Sequence, residues 1–180
     1  METLKAITER RSIRQYQDKP VTVEQIQEII DIARFSPTWK NSQTVRYYAI
    51  LDKELKDKIA EEGTLNFSKN ANNIRSASAL IVLATVDGIA GYEKDGTPTT
   101  DKGAHWQSFD AGIACQNVCL SAYDKGLGTL IMGIYDEKKI AELIALPEGQ
   151  SISALIAIGY ADSTPTAPKR KELDEILTIL

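Results

Sequence analysis

Segments of helical periodicity and short apolar runs follow one another along this chain. Between residues 22 and 35, apolar side chains recur at intervals of three and four residues, at Ile26, Ile29, Ile30 and Ala33. This spacing predicts an amphipathic helix, and Thr22 and Gln25 stand where a capping box begins one. Further helices are predicted over residues 2–10, 106–125 and 136–145. The second of these is apolar or small on almost every side, which indicates a buried central helix.

Four short apolar runs are predicted to be β-strands because turn or charged residues bound each of them. They cover residues 47–51, 79–86, 129–132 and 152–158. The runs are continuous instead of alternating, which is typical of a sheet covered by helices on both faces. Their pattern alone does not distinguish parallel from antiparallel pairing.

Residues 87–103 fit neither a helix nor a strand, because they are rich in Gly, Asp and Thr. The segment is also too long for a simple connection. Two interpretations stay open for this segment. It is either a lid or recognition loop, or a mobile surface insertion without a role in binding.

The C-terminal segment, residues 160–180, also lacks a clear pattern. It carries the basic triplet Lys169, Arg170 and Lys171 and ends in the apolar sequence ILTIL. Such a tail is unfavourable in water, so we expect it to be buried, and a second subunit is a natural place for it.

Length and composition narrow the class of protein. A chain of 180 residues and 19.8 kDa predicts one domain over residues 1–180. With 43% hydrophobic and 26% charged residues, the chain should form a true core. The net charge of −4 argues against binding to nucleic acid. No apolar run reaches the roughly 18 residues of a membrane span, and residues 1–14 are too charged for a signal peptide, so a cytoplasmic location is expected.

Several common kinds of catalytic site are absent from the sequence. One histidine, His105, and two cysteines, Cys115 and Cys119, cannot supply a typical zinc cluster, so no metal is expected. The cysteines are predicted to pack in the core, and His105 to stand in a loop or at a helix start. The P-loop and the dinucleotide glycine fingerprint are also missing, since the pair Gly126 and Gly128 precedes a strand instead of following one.

The densest chemical signal is a cluster of arginines between the first two predicted helices. Arg10, Arg11, Ser12 and Arg14 place three guanidinium groups and a hydroxyl within five residues. The planar guanidinium fork suits a phosphate group, so the cluster is a candidate phosphate clamp. Arginines that only favour solubility are the alternative.

Other motifs accompany the arginine cluster in a fixed order. They are SPTWKNSQ at 36–43, DAGIACQN at 110–117, GLGT at 126–129 leading to MG at 132–133, GYA at 159–161 and KRK at 169–171. Together with RRSIR at 10–14, this series resembles the nitroreductase family of flavin enzymes. The resemblance covers nearly the whole chain.

The resemblance implies both a fold and an assembly. The expected fold is α+β, with three α/β/α layers around a mainly antiparallel sheet. The expected assembly is an obligate, domain-swapped homodimer with one FMN at each of two interface sites, and its swapped termini would account for the apolar tail.

The resemblance also assigns residues to the cofactor. Arg10 and Ser12, next to Arg11 and joined by Lys169 and Arg170, would hold the FMN phosphate. Arg14 would lie near the pyrimidine edge of the flavin, where a cation favours the reduced state. Asn70 and Asn73 would bind the same edge; some relatives have Lys where Asn73 stands.

Two further segments would meet the flavin ring. Pro37, Thr38, Trp39 and Asn41 would cover it from the partner subunit, and the backbone of Met132 and Gly133 would reach its N5 atom. The chain departs from the family pattern at two places, with Trp39-Lys40 before Asn41 and Thr44-Val45 after Gln43. These departures are expected to affect the shape of the acceptor site more than FMN binding.

The resemblance implies an oxidoreductase that carries electrons from NAD(P)H through flavin N5 to nitroaromatics, quinones or similar small electrophiles by ping-pong kinetics. No side chain is required as a nucleophile. Three alternatives stay open: a dedicated reaction such as dehalogenation or flavin fragmentation, a non-catalytic FMN-binding protein, and an interaction protein without FMN.

Overall fold

An antiparallel sheet of four strands forms the middle layer of the fold, as seen in a computed structural model that describes residues 3–180. The strands are β1 (Val45–Ile50), β2 (Ala79–Val86), β3 (Gly128–Met132) and β4 (Gln150–Gly159). Their order in the sheet is β1-β2-β4-β3, and every pair is antiparallel. All four predicted strands are therefore confirmed, and so is the antiparallel sheet implied by the resemblance.

Within residues 3–180, six helices surround the sheet. They are α1 (Thr3–Glu9), α2 (Val23–Ala33), α3 (Lys53–Glu62), α4 (Ser68–Ser76), α5 (His105–Asp124) and α6 (Glu137–Leu143). Short 3₁₀ turns cover Trp39–Asn41 and Leu173–Glu175. The four predicted helices are confirmed within one or two residues at each end, although Glu2, where the first was expected to begin, lies outside the described residues.

The sequence analysis missed α3 and α4, which are rich in charged or polar residues. In α3 the apolar face is short, and the helix is begun by Asp52, whose side chain accepts a hydrogen bond from the Leu55 N–H at 2.8 Å. In α4 two of the buried side chains are asparagines, Asn70 and Asn73, which hydrophobic periodicity does not register.

The continuous apolar strands are explained by a core on each face of the sheet. Successive residues of β2 point to opposite faces, so Ile81 and Leu83 join one core while Leu80 and Val82 join the other. The first core is covered by α2 and α5, and the second by α3, α4 and α6. The fold is thus α+β with three α/β/α layers.

Other local predictions also agree with the structure. The capping box is present, since the Gln25 N–H donates to Thr22 Oγ1 at 3.2 Å and the Thr22 N–H donates to Gln25 Oε1 at 3.0 Å. Cys115 and Cys119 lie in the first core as free thiols. His105 is the first residue of α5 and is exposed. Among residues 3–180, no helix is both long and apolar enough to cross a membrane.

The C-terminal segment is exposed in the single chain. Leu173 and Ile176 are each 67% exposed, and Ile179 is 87% exposed. Burial of this tail by a second subunit therefore stays a prediction.

Two glycines allow residues 12–16 to lie against the edge of the sheet. A Cβ on Gly128 would come within 2.4 Å of Ile13 Cγ1, and one on Gly159 would come within 2.8 Å of Tyr16 Cδ1. Both distances are far below van der Waals contact, so any larger residue would push the arginine-bearing segment away.

We expect Gly128→Ala to lower the free energy of unfolding by about 1–3 kcal/mol, because the added methyl group overpacks against buried Ile13. Urea unfolding of the apoprotein measures this change. Gly133→Ala is the control, since a Cβ there meets no atom within 4 Å. Equal stability of the two variants would contradict the close approach.

Candidate functional site

The candidate site lies along β3, an edge strand of the sheet. Ser12 forms a parallel bridge with Thr129, and the Ile13 N–H donates to the Thr129 carbonyl at 2.9 Å. Because the two segments run parallel, Arg10 lies toward the beginning of β3 and Arg14 toward its end. Four steps of extended chain separate these arginines by about 13 Å.

A groove of about 560 Å³ opens at the end of β3. It brings together five of the residues singled out from the sequence, namely Arg14, Asn70, Asn73, Met132 and Gly133. Asn70 is held in place by donating from Nδ2 to the Ile134 carbonyl at 2.9 Å. The remaining lining residues are Phe67, Lys69, Asn72, Leu130, Ile131 and Ile134.

The groove is electropositive, because its lining includes the cations Arg14 and Lys69 and no acidic residue. Lys69, Asn72 and Phe67 were missed by the sequence analysis. All three lie at or next to α4, whose helical form was not predicted, so nothing in the sequence placed them beside Arg14.

A second cavity, of about 470 Å³, lies beside the arginine cluster. Arg10 and Arg11 line it together with Gly126, Gly128 and part of the segment after β4. Arg11 uses its Nη1 to donate to the Thr8 carbonyl at 2.7 Å and to the Arg10 carbonyl at 2.9 Å. The Nε of Arg10, by contrast, is buried without a hydrogen-bond partner among the described residues.

An unpartnered buried guanidinium N–H is costly, so the position of Arg10 favours an anion as its missing acceptor. Ser12 stands between Arg11 and Ile13, which both line this second cavity, and Arg14 of the first groove follows two residues later. One anion and one ring system could therefore be held by a single stretch of chain.

The other predicted site residues do not join this groove within one chain. Pro37, Thr38 and Trp39 line a separate cavity of about 260 Å³ with Trp106, Phe109, Asp110 and Ile113. Asn41 is exposed outside it. Lys169 and Arg170 are exposed in the tail, where Lys169 Nζ lies 3.9 Å from Glu172 and Arg170 Nη1 donates to the Pro168 carbonyl at 3.1 Å.

Backbone strain is concentrated in the segment after Trp39. Lys40, Asn41 and Gln43 have φ values of 46°, 54° and 50°, in the left-handed region that non-glycine residues rarely adopt. Within the same stretch the buried Nε1 of Trp39 and the buried Oγ of Ser42 lack hydrogen-bond partners among the described residues. Backbone strain and unsatisfied buried polar atoms therefore coincide in this one short segment.

Asp110 anchors this strained segment to α5. Its Oδ2 accepts a hydrogen bond from the Trp39 N–H at 2.8 Å. Burial raises the pKa of Asp110 above its ordinary value, and the hydrogen bond from Trp39 acts in the opposite direction. In the sequence Asp110 stands out only as part of the DAGIACQN motif, because its contact with Trp39 spans 71 positions of the chain.

No group of three or more His, Cys, Asp or Glu side chains within residues 3–180 has an arrangement that could hold a metal ion.

The chain is similar in sequence to known flavin-dependent enzymes. The model of the nitroreductase family matches residues 7–160. An FMN reductase [NAD(P)H] from Bacillus subtilis is 30% identical, in an alignment that covers 93% of this chain and 70% of that protein. An NADPH-flavin oxidoreductase from Vibrio harveyi is 27% identical, with coverage of 93% and 69%.

A solved structure has the same fold. A nitroreductase family protein from Streptococcus pneumoniae TIGR4 superimposes with a TM-score of 0.86 at 20% identity, over 99% of this chain and 100% of that one.

Proposed function

The chain belongs to the nitroreductase family, and we propose that it is an FMN-dependent oxidoreductase that takes electrons from NAD(P)H and passes them to small electrophilic acceptors such as nitroaromatics or quinones. The observation that carries this proposal is the single groove lined by Arg14, Asn70, Asn73, Met132 and Gly133. These residues come from three distant parts of the chain. The names of its relatives, an FMN reductase and an NADPH-flavin oxidoreductase, support the same cofactor and donor.

The residues present fit FMN. The cofactor carries its phosphate at the end of a flexible five-carbon chain, so a phosphate site and a ring site must be separated. Arg10, with its unpaired buried Nε, and Ser12 would hold the phosphate, and Arg11 lines the same cavity as Arg10. Lys169 and Arg170, which are exposed in the tail of the single chain, would join them there. Arg14, Asn70 and Asn73 would hold the polar edge of the ring.

When bound, FMN supplies two-electron hydride chemistry that no side chain in the groove offers. The chain contributes binding, orientation and charge. Arg14 and Lys69 provide positive potential, and Asn70 is oriented by its bond to the Ile134 carbonyl. Gly133 has no side chain to block an approach to the backbone at the end of β3.

We propose that the active form is a homodimer. Pro37, Thr38, Trp39 and Asn41 lie away from the groove of their own chain, and their segment contains strain and unpaired polar atoms. Both features are explained if this segment completes the site of the partner subunit. Exposed apolar residues on α1, just after α2 and in the tail, among them Leu4, Phe35 and Ile179, offer further surface for such contact.

Donor and acceptor would use the same groove in turn, which gives ping-pong kinetics. Anaerobic mixing of the yellow protein with NADPH or NADH tests the proposal directly. Rapid loss of the visible absorbance supports an enzyme, whereas no loss supports a non-catalytic FMN-binding protein. Turnover with only one acceptor from a broad panel would favour a dedicated reaction such as dehalogenation or flavin fragmentation, and a colourless protein that does not take up FMN would favour an interaction protein.

We expect Arg10→Ala to weaken FMN binding about 10- to 100-fold, because a charge-assisted contact with phosphate is worth about 1.5–3 kcal/mol. Riboflavin, which lacks the phosphate, should bind the wild type and the variant equally weakly. Fluorescence titration measures all four affinities. Arg34→Ala is the control, since Arg34 is exposed and already paired with Asp31 at 2.7 Å. Equal retention of FMN and riboflavin by the wild type would contradict the phosphate clamp.

Arg14→Met should make the two-electron potential of bound FMN more negative by tens of millivolts, since about 1.4 kcal/mol of lost stabilisation corresponds to about 30 mV. A positive charge in the groove favours the cofactor when it gains electrons. Spectroelectrochemistry measures the midpoint, and FMN content should stay near full occupancy. The control Arg75→Met removes an exposed arginine of α4 outside the groove. An unchanged midpoint in a fully loaded Arg14→Met protein would remove the electrostatic role.

Deletion of residues 173–180 should give a protein that is less dimeric and poorer in flavin, because it removes the exposed apolar side chains of the tail. Analytical ultracentrifugation and visible absorbance measure the two effects. Asp174→Ala, which alters the same segment without removing apolar surface, should leave both unchanged. A truncated chain that stays a yellow dimer would refute the proposed role of the tail.

A further inference from the structure

Three aromatic side chains form a continuous surface between the start of α5 and the strained segment. The ring centroids of Trp39 and Trp106 lie 4.9 Å apart at an interplanar angle of 44°. Those of Trp106 and Phe109 lie 5.6 Å apart in an edge-to-face arrangement at 74°. We name these three residues the aromatic platform.

The aromatic platform borders open space. Trp106 and Phe109 line both the cavity that contains Trp39 and an adjoining one of about 500 Å³ next to Lys102 and His105. Phe109 is 59% exposed although it is large and apolar. A flat conjugated molecule in this space would gain stacking and edge contacts with the rings.

The rings are held by hydrogen bonds that join the platform to residues 87–103. Trp106 Nε1 donates to Thr100 Oγ1 at 2.8 Å, and the backbone of Trp39 is fixed by Asp110. Lys40 Nζ lies 3.1 Å from Glu93 Oε1, which also accepts from Thr99 Oγ1 at 2.8 Å. The hydrogen bond from the Thr99 hydroxyl, followed by the contact with Lys40, holds the pKa of Glu93 below its ordinary value.

The charged side chains around the aromatic platform differ in whether they have a partner. The Lys40 cation is paired with Glu93, and the Asp110 carboxylate is occupied by the Trp39 N–H. Lys102 Nζ lies 5.2 Å from the centre of the Trp106 ring, and none of the ion pairs formed within residues 3–180 includes it. An unpaired cation therefore stands directly over an aromatic face at the rim of an apolar cavity.

We propose that the aromatic platform and Lys102 form an acceptor subsite selective for flat aromatic molecules that carry a negative charge, such as aromatic carboxylates. The rings of Trp106 and Phe109 contact the aromatic part, and Lys102 pairs with the anionic group. This inference rests on the proposed function, since Trp39 belongs to the segment assigned to the partner's FMN site. It also makes residues 87–103 a recognition loop, because this segment supplies Lys102.

Two acceptors that differ only in charge test the subsite. For the FMN-loaded protein, kcat/KM is measured with 4-nitrobenzoate and with nitrobenzene, and the ratio of the two values is compared between variants. Lys102→Gln should lower this ratio about fivefold, the size of a partly exposed ion pair. Lys102→Arg should retain it, and Lys94→Gln is the matched control, since Lys94 is an exposed cation of the same loop that lines neither cavity.

Phe109→Leu tests the platform itself, because it keeps an apolar side chain and removes the ring. It should lower kcat/KM several-fold for both acceptors and leave their ratio unchanged. Quenching of tryptophan fluorescence by benzoate, which is not reduced, should weaken about fivefold in Lys102→Gln, a readout that does not depend on turnover.

The possible failures are distinguishable. If NAD(P)H does not reduce the wild-type holoprotein, the proposed function fails. If reduction is normal but Lys102→Gln leaves the acceptor ratio and the benzoate quenching unchanged, the subsite is wrong. If Phe109→Leu dissociates the dimer, the partner covers this face and the subsite is likewise overturned.

Discussion

The close contact between residues 12–16 and the edge of the sheet determines where Arg10, Ser12 and Arg14, three of the proposed cofactor contacts, lie. An edge strand exposes unpaired backbone groups, and here the bridge from Ser12 to Thr129 satisfies part of that edge. The contact is short because glycine occupies position 128. It fixes Arg10 toward the beginning of β3 and Arg14 toward its end, so the separation of the proposed phosphate and ring sites follows from the spacing of an extended chain.

The rest of the groove depends on the packing of α4 against the second core, which lies on the other face of the sheet from α2 and α5. Ile74 and Ala71 are buried in that core, and this packing orients Asn70 and Asn73 toward the groove. The polar residues of the site are therefore held on a helix anchored by apolar neighbours. Such support is what a site needs when its task is to bind and orient a cofactor.

The segment after Trp39, unlike α4, is strained in its backbone and contains unpaired polar atoms. Its left-handed residues and unpaired polar atoms lower the stability of the isolated chain, yet Asp110 on the central helix keeps it in place. A fold tolerates such strain where the surrounding structure over-determines it and where binding uses it. The strain, the aromatic platform and the ion pair between Lys40 and Glu93 lie in one region, which is also where the sequence departs from the family pattern.

The sequence by itself determined the four strands, four of the six helices, and a set of motifs sufficient to indicate the family. Apolar periodicity reports which positions are buried, and that information is local. Only the tertiary structure decided the strand order β1-β2-β4-β3, because pairing depends on contacts between distant positions such as Ala79 and Ile158. It also decided that Lys69 joins Arg14 in one groove, because α4 is too polar to be recognised from its hydrophobic pattern. Trp39 does not line that groove, because the groove and the segment that contains Trp39 lie in separate places within one chain.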